Sequence, residues 1–241
     1  MKALVVGGSS GIGLSIVLNL LGKGGAVYVM DKNPFPADYS SDRVTYVPCD
    51  LSKGDYSCLD EAEDIEALYI TAGFGHLKFF QELSEAYIQG SFAVNAVAPI
   101  QIIRHYYDRM LAAEDFTCAV MVSIAGRLSS PLFSVYSATK AALSKFIEAV
   151  NVELDVQGSK NRILEVSPGS LKGTGFTGGA SQPELTAALA EEIIDHAMRH
   201  ECLFIPQYEE VFKGVIGRYE ADAHKFGVES YWYKQKRLEG K

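Results

Sequence analysis

The sequence predicts a doubly wound α/β fold: one domain over residues 1–241, with a parallel sheet of about seven strands and helices on both faces. Three observations predict it. Short apolar runs ending in turn residues alternate with longer stretches of helical periodicity, the pattern of right-handed strand–helix–strand crossovers. The first apolar run gives way to a glycine cluster that opens a helix. A chain of 241 residues, 48% apolar and 22% charged, suits one sizeable core.

Composition narrows the function classes. A formal charge of −8 argues against nucleic acid, which wants a basic footprint. Lys234, Lys236 and Arg237 form a small basic group that reads as a solvated tail. Cys49, Cys58, Cys118 and Cys202 show neither a Cys-x-x-Cys pair nor metal-ligand spacing, as expected of reduced thiols in a cytoplasmic protein. No run approaches about 18 apolar residues, so no membrane span is expected. Gly7, Gly8, Gly11 and Gly13 interrupt the N-terminal apolar segment, which argues against a signal peptide.

Ala3 to Val6 reads as the first strand and ends in Gly7-Gly8-Ser9-Ser10-Gly11-Ile12-Gly13. Behind it Ile12, Ile16, Val17, Leu20 and Leu21 recur at helical spacing. Glycines in this position let backbone N–H groups approach a pyrophosphate, and the helix N-terminus adds partial positive charge. Gly7, Ser9, Ser10, Gly11, Ile12 and Gly13 are therefore candidate cofactor contacts. Ala26 to Met30 is a second strand ending in Asp31, about 20 residues on. A carboxylate there accepts from a ribose 2′-OH and repels a 2′-phosphate, favouring NAD. Lys32 softens that discrimination and leaves NADP open; a plain turn at Asp31-Lys32-Asn33-Pro34 is the alternative.

Val44 to Val47 is the third strand, leading to Asp50-Leu51 and an acidic stretch read as an abbreviated helix or loop. Ala67 to Ala72 is the fourth, closed by Gly73. Leu83 to Leu111 reads as one long helix, with Asn95 its odd polar residue and a kink at Pro99. Ala119 to Val122 is the fifth strand and ends in Ser123. Ser134 to Val156 is a helix in which Tyr136 and Lys140, four residues apart, share a face. A free phenol titrates at about 10 and is a poor base at neutral pH. A charge about 4 Å away, at an effective dielectric near 20, favours phenolate by roughly 4 kcal/mol and brings the group near 7. A tyrosine packed beside a solvated lysine is the alternative.

Ile163 to Val166 is the sixth strand, followed by Pro168-Gly169. Ser170 to Ser181, with Gly173, Gly175, Gly178 and Gly179, reads as a lid. Pro183 to His200 is a helix, Cys202 to Ile205 the seventh strand, and an aromatic-rich helical tail follows Pro206. His196 and His200 read as ordinary helix-end histidines rather than a metal pair; no metal is expected.

These motifs, in this order, resemble the short-chain dehydrogenase/reductase family from residue 2 to about 175. The family's Thr-Gly-x-x-x-Gly-x-Gly aligns with Val6 to Gly13, its Asn-Asn-Ala-Gly with Ile70-Thr71-Ala72-Gly73, and its acidic adenine-side residue with Asp50. Its four catalytic positions match Asn95, Ser123, Tyr136 and Lys140, and its Pro-Gly motif matches Pro168-Gly169. Val6 lacks the usual hydroxyl, Ile70-Thr71 replaces two asparagines that brace the glycine loop, and the threonine after Pro-Gly is displaced to Thr174.

The resemblance implies a Rossmann-type domain that binds NAD, or else NADP, and carries hydride reversibly between nicotinamide and a small alcohol or ketone. Tyr136 would exchange the hydroxyl proton, with Lys140 lowering its pKa and binding the nicotinamide ribose. Ser123 would face the substrate oxygen and Asn95 would hold a water. The cofactor would also meet Leu51, Ala72, Gly73 and Thr174. Phe74, His76, Leu77, Arg127, Leu132, Phe133 and Phe176 suggest an apolar pocket mouth with Arg127 facing an anionic group. The family often pairs its two long helices, which implies a homodimer or homotetramer. An NADP(H)-dependent carbonyl reductase and a non-catalytic NAD(P)-sensing regulator are the competing readings. A sugar epimerase would want other glycine spacing and a longer C-terminal domain. From residue 200 onward the chain does not resemble the family.

Overall fold

The apolar runs form seven strands in a computed structural model that describes residues 1–177 and 180–239. They are β1 (Lys2–Val6), β2 (Ala26–Asp31), β3 (Val44–Pro48), β4 (Ala67–Ile70), β5 (Thr117–Met121), β6 (Ile163–Val166) and β7 (Leu203–Phe204). All pair in parallel, in the order β3-β2-β1-β4-β5-β6-β7. The helices are α1 (Gly11–Gly22), α2 (Glu85–Phe92), α3 (Ala98–His105), α4 (Tyr107–Leu111), α5 (Ser134–Val156), α6 (Ala187–Met198), α7 (Lys213–Ala221) and α8 (Ala223–Glu239).

Successive strand residues face opposite sides of a sheet, so β1 supplies two cores. Leu4 and Val6 join Ile70, Ile102, Ile103, Leu143 and Ile147 beneath α3 and α5. Ala3 and Val5 join Val29, Tyr69, Ile16, Val17, Ile193 and Ile194 beneath α1 and α6. β4 and β6 are buried along their whole length, as parallel strands covered on both faces must be.

Several boundaries differ from the sequence expectation. Leu83 to Leu111 is not one helix: α2 passes through a wide π turn, Ala93–Val97, into α3, and α4 follows a break at Tyr106. Pro99 has no N–H for the Asn95 carbonyl one turn earlier, and the ladder widens there. The segment Glu85–His105 has the length of a membrane span at 21 residues, but its Ala98, Ile102 and Ile103 lie in the core beside the sheet. The acidic stretch contains two 3-10 turns, Leu51–Lys53 and Ser57–Ala62. β5 starts earlier than expected and β7 is shorter. Of the expected lid, Gly178 and Gly179 lie outside the described residues.

Register positions the site. Val6 pairs with both Met30 and Ile70, Ile70 with Val120, and Met121 with Val166. The segments that follow β1, β4, β5 and β6 therefore emerge together at the carboxyl edge. Strand order reverses between β1 and β4, which opens the crevice where such sheets bind ligands.

Candidate active site

The glycine turn is held by close backbone contact. A Cβ on Gly13 would stand 2.2 Å from the Gly7 carbonyl oxygen and 2.5 Å from Thr71 Oγ1, and one on Gly7 would stand 2.6 Å from Ala72 N. Thr71 Oγ1 lies 2.9 Å from the Val6 carbonyl and 3.2 Å from that of Gly7, as donor. The hydroxyl thus braces the turn from the place where the family has asparagine. Ser10 precedes α1 without capping it through its side chain, and the first N–H of the helix, that of Gly11, is taken by a residue distant in sequence, Ser181. Asp31 accepts from Ser9 N at 3.1 Å and Asn33 N at 2.9 Å, so its carboxylate sits against the turn. Asp50 caps the next turn by accepting from Ser52 Oγ at 2.7 Å and Ser52 N at 3.1 Å, and these bonds hold its carboxyl below the usual range. Leu51 is buried behind it.

Tyr136 and Lys140 lie one turn apart on α5 and are 9% and 3% exposed. Lys140 Nζ donates to the Met121 carbonyl at 2.8 Å and stands 5.9 Å from the centre of the Tyr136 ring. A Cβ on Gly73 would be 3.3 Å from Lys140 Nζ and 3.2 Å from Asn95 Oδ1, so the ammonium reaches the chain that leaves β4. The Ser123 side chain lies near enough to the phenol to favour its ionised form, and accepts from Ala125 N at 3.1 Å. Asn95 is fully buried and clamps Phe74, donating to its carbonyl at 2.8 Å and accepting from its N–H at 3.0 Å; it also donates to Thr139 Oγ1 at 3.2 Å.

The protonation states differ from the sequence expectation. Burial pushes the Tyr136 phenol up to about 12, with the Ser123 side chain pulling the other way. Burial likewise pushes Lys140 down to about 8. The expectation of a phenol near 7 assumed two groups in partial contact with water at about 4 Å. In the folded protein desolvation penalises the charged form of each, and the ammonium directs its hydrogen bond to Met121.

The pocket wall is aromatic. Phe176 and Phe133 stand 5.1 Å and 5.7 Å from Tyr136, ring centre to ring centre. Gly75 leaves the phenol room, since a Cβ there would be 2.7 Å from Tyr136 Cδ2. Arg127 does not face an anionic substrate group as expected. Its Nε and Nη2 donate to Glu165 Oε1 at 3.0 Å and 2.7 Å, and Glu165 also accepts from Ser144 at 2.8 Å and Ser167 at 2.7 Å. The cation beside the pocket is Lys234 of α8. Its Nζ donates to Ser130 Oγ at 2.6 Å and the Pro131 carbonyl at 3.2 Å, 5.6 Å from the centre of the Phe133 ring. Burial pushes it down to about 8, so this residue is no solvated tail.

The segment after β6 straps the glycine turn. Pro168 accepts from Ile124 N at 3.0 Å. Phe212 packs on Gly169, where a Cβ would stand 2.5 Å from Phe212 Cζ. Thr174 lies against Gly11, and Gly11 N donates to Ser181 Oγ at 2.7 Å. None of Ser181, Phe212, Glu165 and Lys234 reads from sequence as a site residue: Ser181 closes the expected lid, Lys234 stands in the tail read as solvated, and Glu165 sits within an apolar strand. His196 meets Glu201 at 2.6 Å and His200 lies 3.6 Å from Asp115, so the two histidines face different carboxylates.

A doubly wound parallel sheet with a glycine turn at its switch point and a buried tyrosine–lysine pair at the same edge defines a Rossmann-type α/β protein. The chain belongs to the short chain dehydrogenase family, whose model matches residues 1–185. It is similar to a short chain dehydrogenase/reductase of Claviceps purpurea, 28% identical over 196 residues, 74% of this chain and 66% of that one. It is also similar to sorbitol-6-phosphate 2-dehydrogenase of Klebsiella pneumoniae, 27% identical over 202 residues, 78% of this chain and 73% of that one. The chain spans only 56–66% of the length of four of the curated relatives it matches. Among solved structures, a short chain dehydrogenase from Burkholderia cenocepacia in complex with NADP superposes with a TM-score of 0.76 at 19% identity, covering 95% of this chain and 96% of that one. A 4-hydroxyisoleucine dehydrogenase complexed with NADH gives 0.68 at 21% identity, covering 85% and 96%.

Proposed function

We propose that the protein is a nicotinamide-dependent oxidoreductase that carries hydride reversibly between NAD and a small alcohol or ketone. The observation that carries this reading is the buried Tyr136–Lys140 pair, with Ser123 near the phenol, at the edge where the glycine turn opens. The residues fit a dinucleotide: Gly7 and Gly13 permit contacts that a Cβ would close, and a phosphate oxygen would replace Ser181 Oγ on the Gly11 N–H at the start of α1. When bound, the nicotinamide supplies the carbon that accepts or delivers hydride.

The chain's own residues do the rest. Ser9, Ser10, Gly11, Ile12 and Gly13 would hold the pyrophosphate, Asp31 would accept from the ribose, and Asp50 and Leu51 would flank adenine. Ala72, Gly73, Pro168, Gly169 and Thr174 border the remaining cofactor path. Tyr136 holds its proton in the free protein and is poised to give it to a ketone oxygen; in the other direction it takes the proton back. Lys140, mostly protonated at neutral pH, favours the phenolate electrostatically. Ser123 donates where negative charge gathers on the substrate oxygen. Asn95 holds Phe74, and with it the chain bordering Gly73, in place. An anionic substrate group would find Lys234 rather than Arg127, which Glu165 engages.

The test is Tyr136→Phe. It should keep its fold and its affinity for NADH while losing about 10²–10⁴-fold in turnover across an alcohol and ketone panel; near-normal turnover refutes the assignment. Fluorescence titration with NADH and NADPH checks the nucleotide. Tighter NADPH binding would hand the reading to an NADP(H)-dependent carbonyl reductase. Self-association through the long helices belongs to the same proposal. Phe92 at the end of α2, Val97 at the end of the π turn that follows it, and Val152 and Val156 on α5 are 37%, 47%, 60% and 81% exposed, and a sedimentation experiment should find dimers or tetramers.

A further inference from the structure

We propose that Cys49 and Cys58 form an oxidisable dithiol, a modification site that closes to an intrachain disulfide by exchange with a low-molecular-weight disulfide. Cys49 directly follows β3, and Cys58 lies in the 3-10 turn Ser57–Ala62. Their sulfurs are 2.8 Å apart. A disulfide bond measures about 2.05 Å, so small side-chain adjustments complete the approach and no refolding is needed. Cys49 is 8% exposed and Cys58 half-buried, so an incoming reagent meets Cys58 first. Neither thiol has a part in the proposed hydride transfer, and Cys118 and Cys202 are free cysteines elsewhere.

The chemistry balances with oxidised glutathione as the co-reactant. The Cys58 thiolate attacks one glutathione sulfur; the glutathione disulfide breaks, a Cys58–glutathione bond forms, and the first glutathione leaves as thiolate and takes a proton. Cys49, having given its proton to solvent, attacks the Cys58 sulfur and the second glutathione leaves. Two cysteines lose two electrons and two protons, and one glutathione disulfide becomes two thiols. Burial pushes the Cys49 thiol up to about 12, which makes the second attack the slow one and speeds it as pH rises.

Asp50 and Leu51 follow Cys49 directly. Closure therefore acts on the residues assigned to adenine, and this coupling rests on the function proposed above. An oxidised protein should bind NADH about fivefold more weakly or worse.

The experiment treats reduced full-length protein with oxidised glutathione at mildly alkaline pH, then alkylates, digests without reductant and reads the peptides by mass spectrometry. The expected result is a Cys49–Cys58 peptide pair, a protein lighter by two hydrogens, and a thiol titre falling from four to two that dithiothreitol restores. Cys58→Ala should abolish the cross-link and Cys202→Ala should keep it. Glutathione persisting on Cys58 beside a free Cys49, or modification of Cys202 alone, overturns the proposal, and the wild-type result stands whatever the variants do. NADH titration of both redox states separates the two readings. Equal affinities overturn the coupling, whereas NADH binding in neither state strikes the proposed function and leaves the disulfide intact.

Discussion

Replacing Lys140 by methionine should stabilise the protein at neutral pH while abolishing turnover. Lys140 is 3% exposed, and its burial lowers its pKa from the ordinary 10.5 to about 8. That difference corresponds to roughly 3 kcal/mol against folding at neutral pH. The sign follows from proton counting. Below about 8 the folded and unfolded chains both bind the proton, and the cost of burying the ammonium is complete. Between about 8 and 10.5 only the unfolded chain keeps it, so stability rises with pH; above 10.5 the cost is gone. Methionine carries no proton and has no such slope. It also leaves the Met121 carbonyl, now bonded at 2.8 Å, without its donor. That loss costs about 1–3 kcal/mol at every pH. The variant should be more stable by about 1 kcal/mol at neutral pH, and its advantage should fall by roughly 2–3 kcal/mol between about pH 7 and pH 10, enough to reverse sign. Urea unfolding followed by circular dichroism measures both gaps. A difference that stays constant within about 0.5 kcal/mol refutes a buried, proton-binding Lys140.

Other substitutions probe the frame around the site. Gly13→Ala places a Cβ 2.2 Å from the Gly7 carbonyl oxygen. It should cost about 1–3 kcal/mol and weaken NADH binding; an unchanged melting temperature would show that the turn has slack. Glu165→Ala leaves Arg127, Ser144 and Ser167 without their acceptor and should cost about 3 kcal/mol in urea unfolding. Arg127→Met should cost more, because it leaves the Glu165 carboxylate, 4% exposed, without its counter-charge, whereas the Arg127 side chain, 32% exposed, can turn to water when Glu165 is removed. Equal losses would contradict that asymmetry.

Local patterns carried much of the fold. Alternating apolar runs announced the strands, and the glycines between the first strand and helix marked the crevice, because both signals are read over a few residues. Tyr136 and Lys140 were legible for the same reason: a helical turn places residues four apart together whatever surrounds them. The bracing role of Thr71 was not legible, since its hydroxyl acts on carbonyls across 64 and 65 positions. Glu165 was hidden in an apolar strand, and Lys234 in a tail that gave no sign of folding back over Ser130 and Phe133.

The amino-acid order by itself determined a doubly wound sheet, the glycine turn at its edge and the helical pairing of phenol with ammonium. Only the tertiary structure decided which charges are withdrawn from water. It held Arg127 on Glu165, brought Lys234 to the pocket, and moved Tyr136 and Lys140 toward their neutral forms. Ionisation depends on desolvation and on partners distant in sequence, and neither exists until the sheet, helices and C-terminal segment have packed.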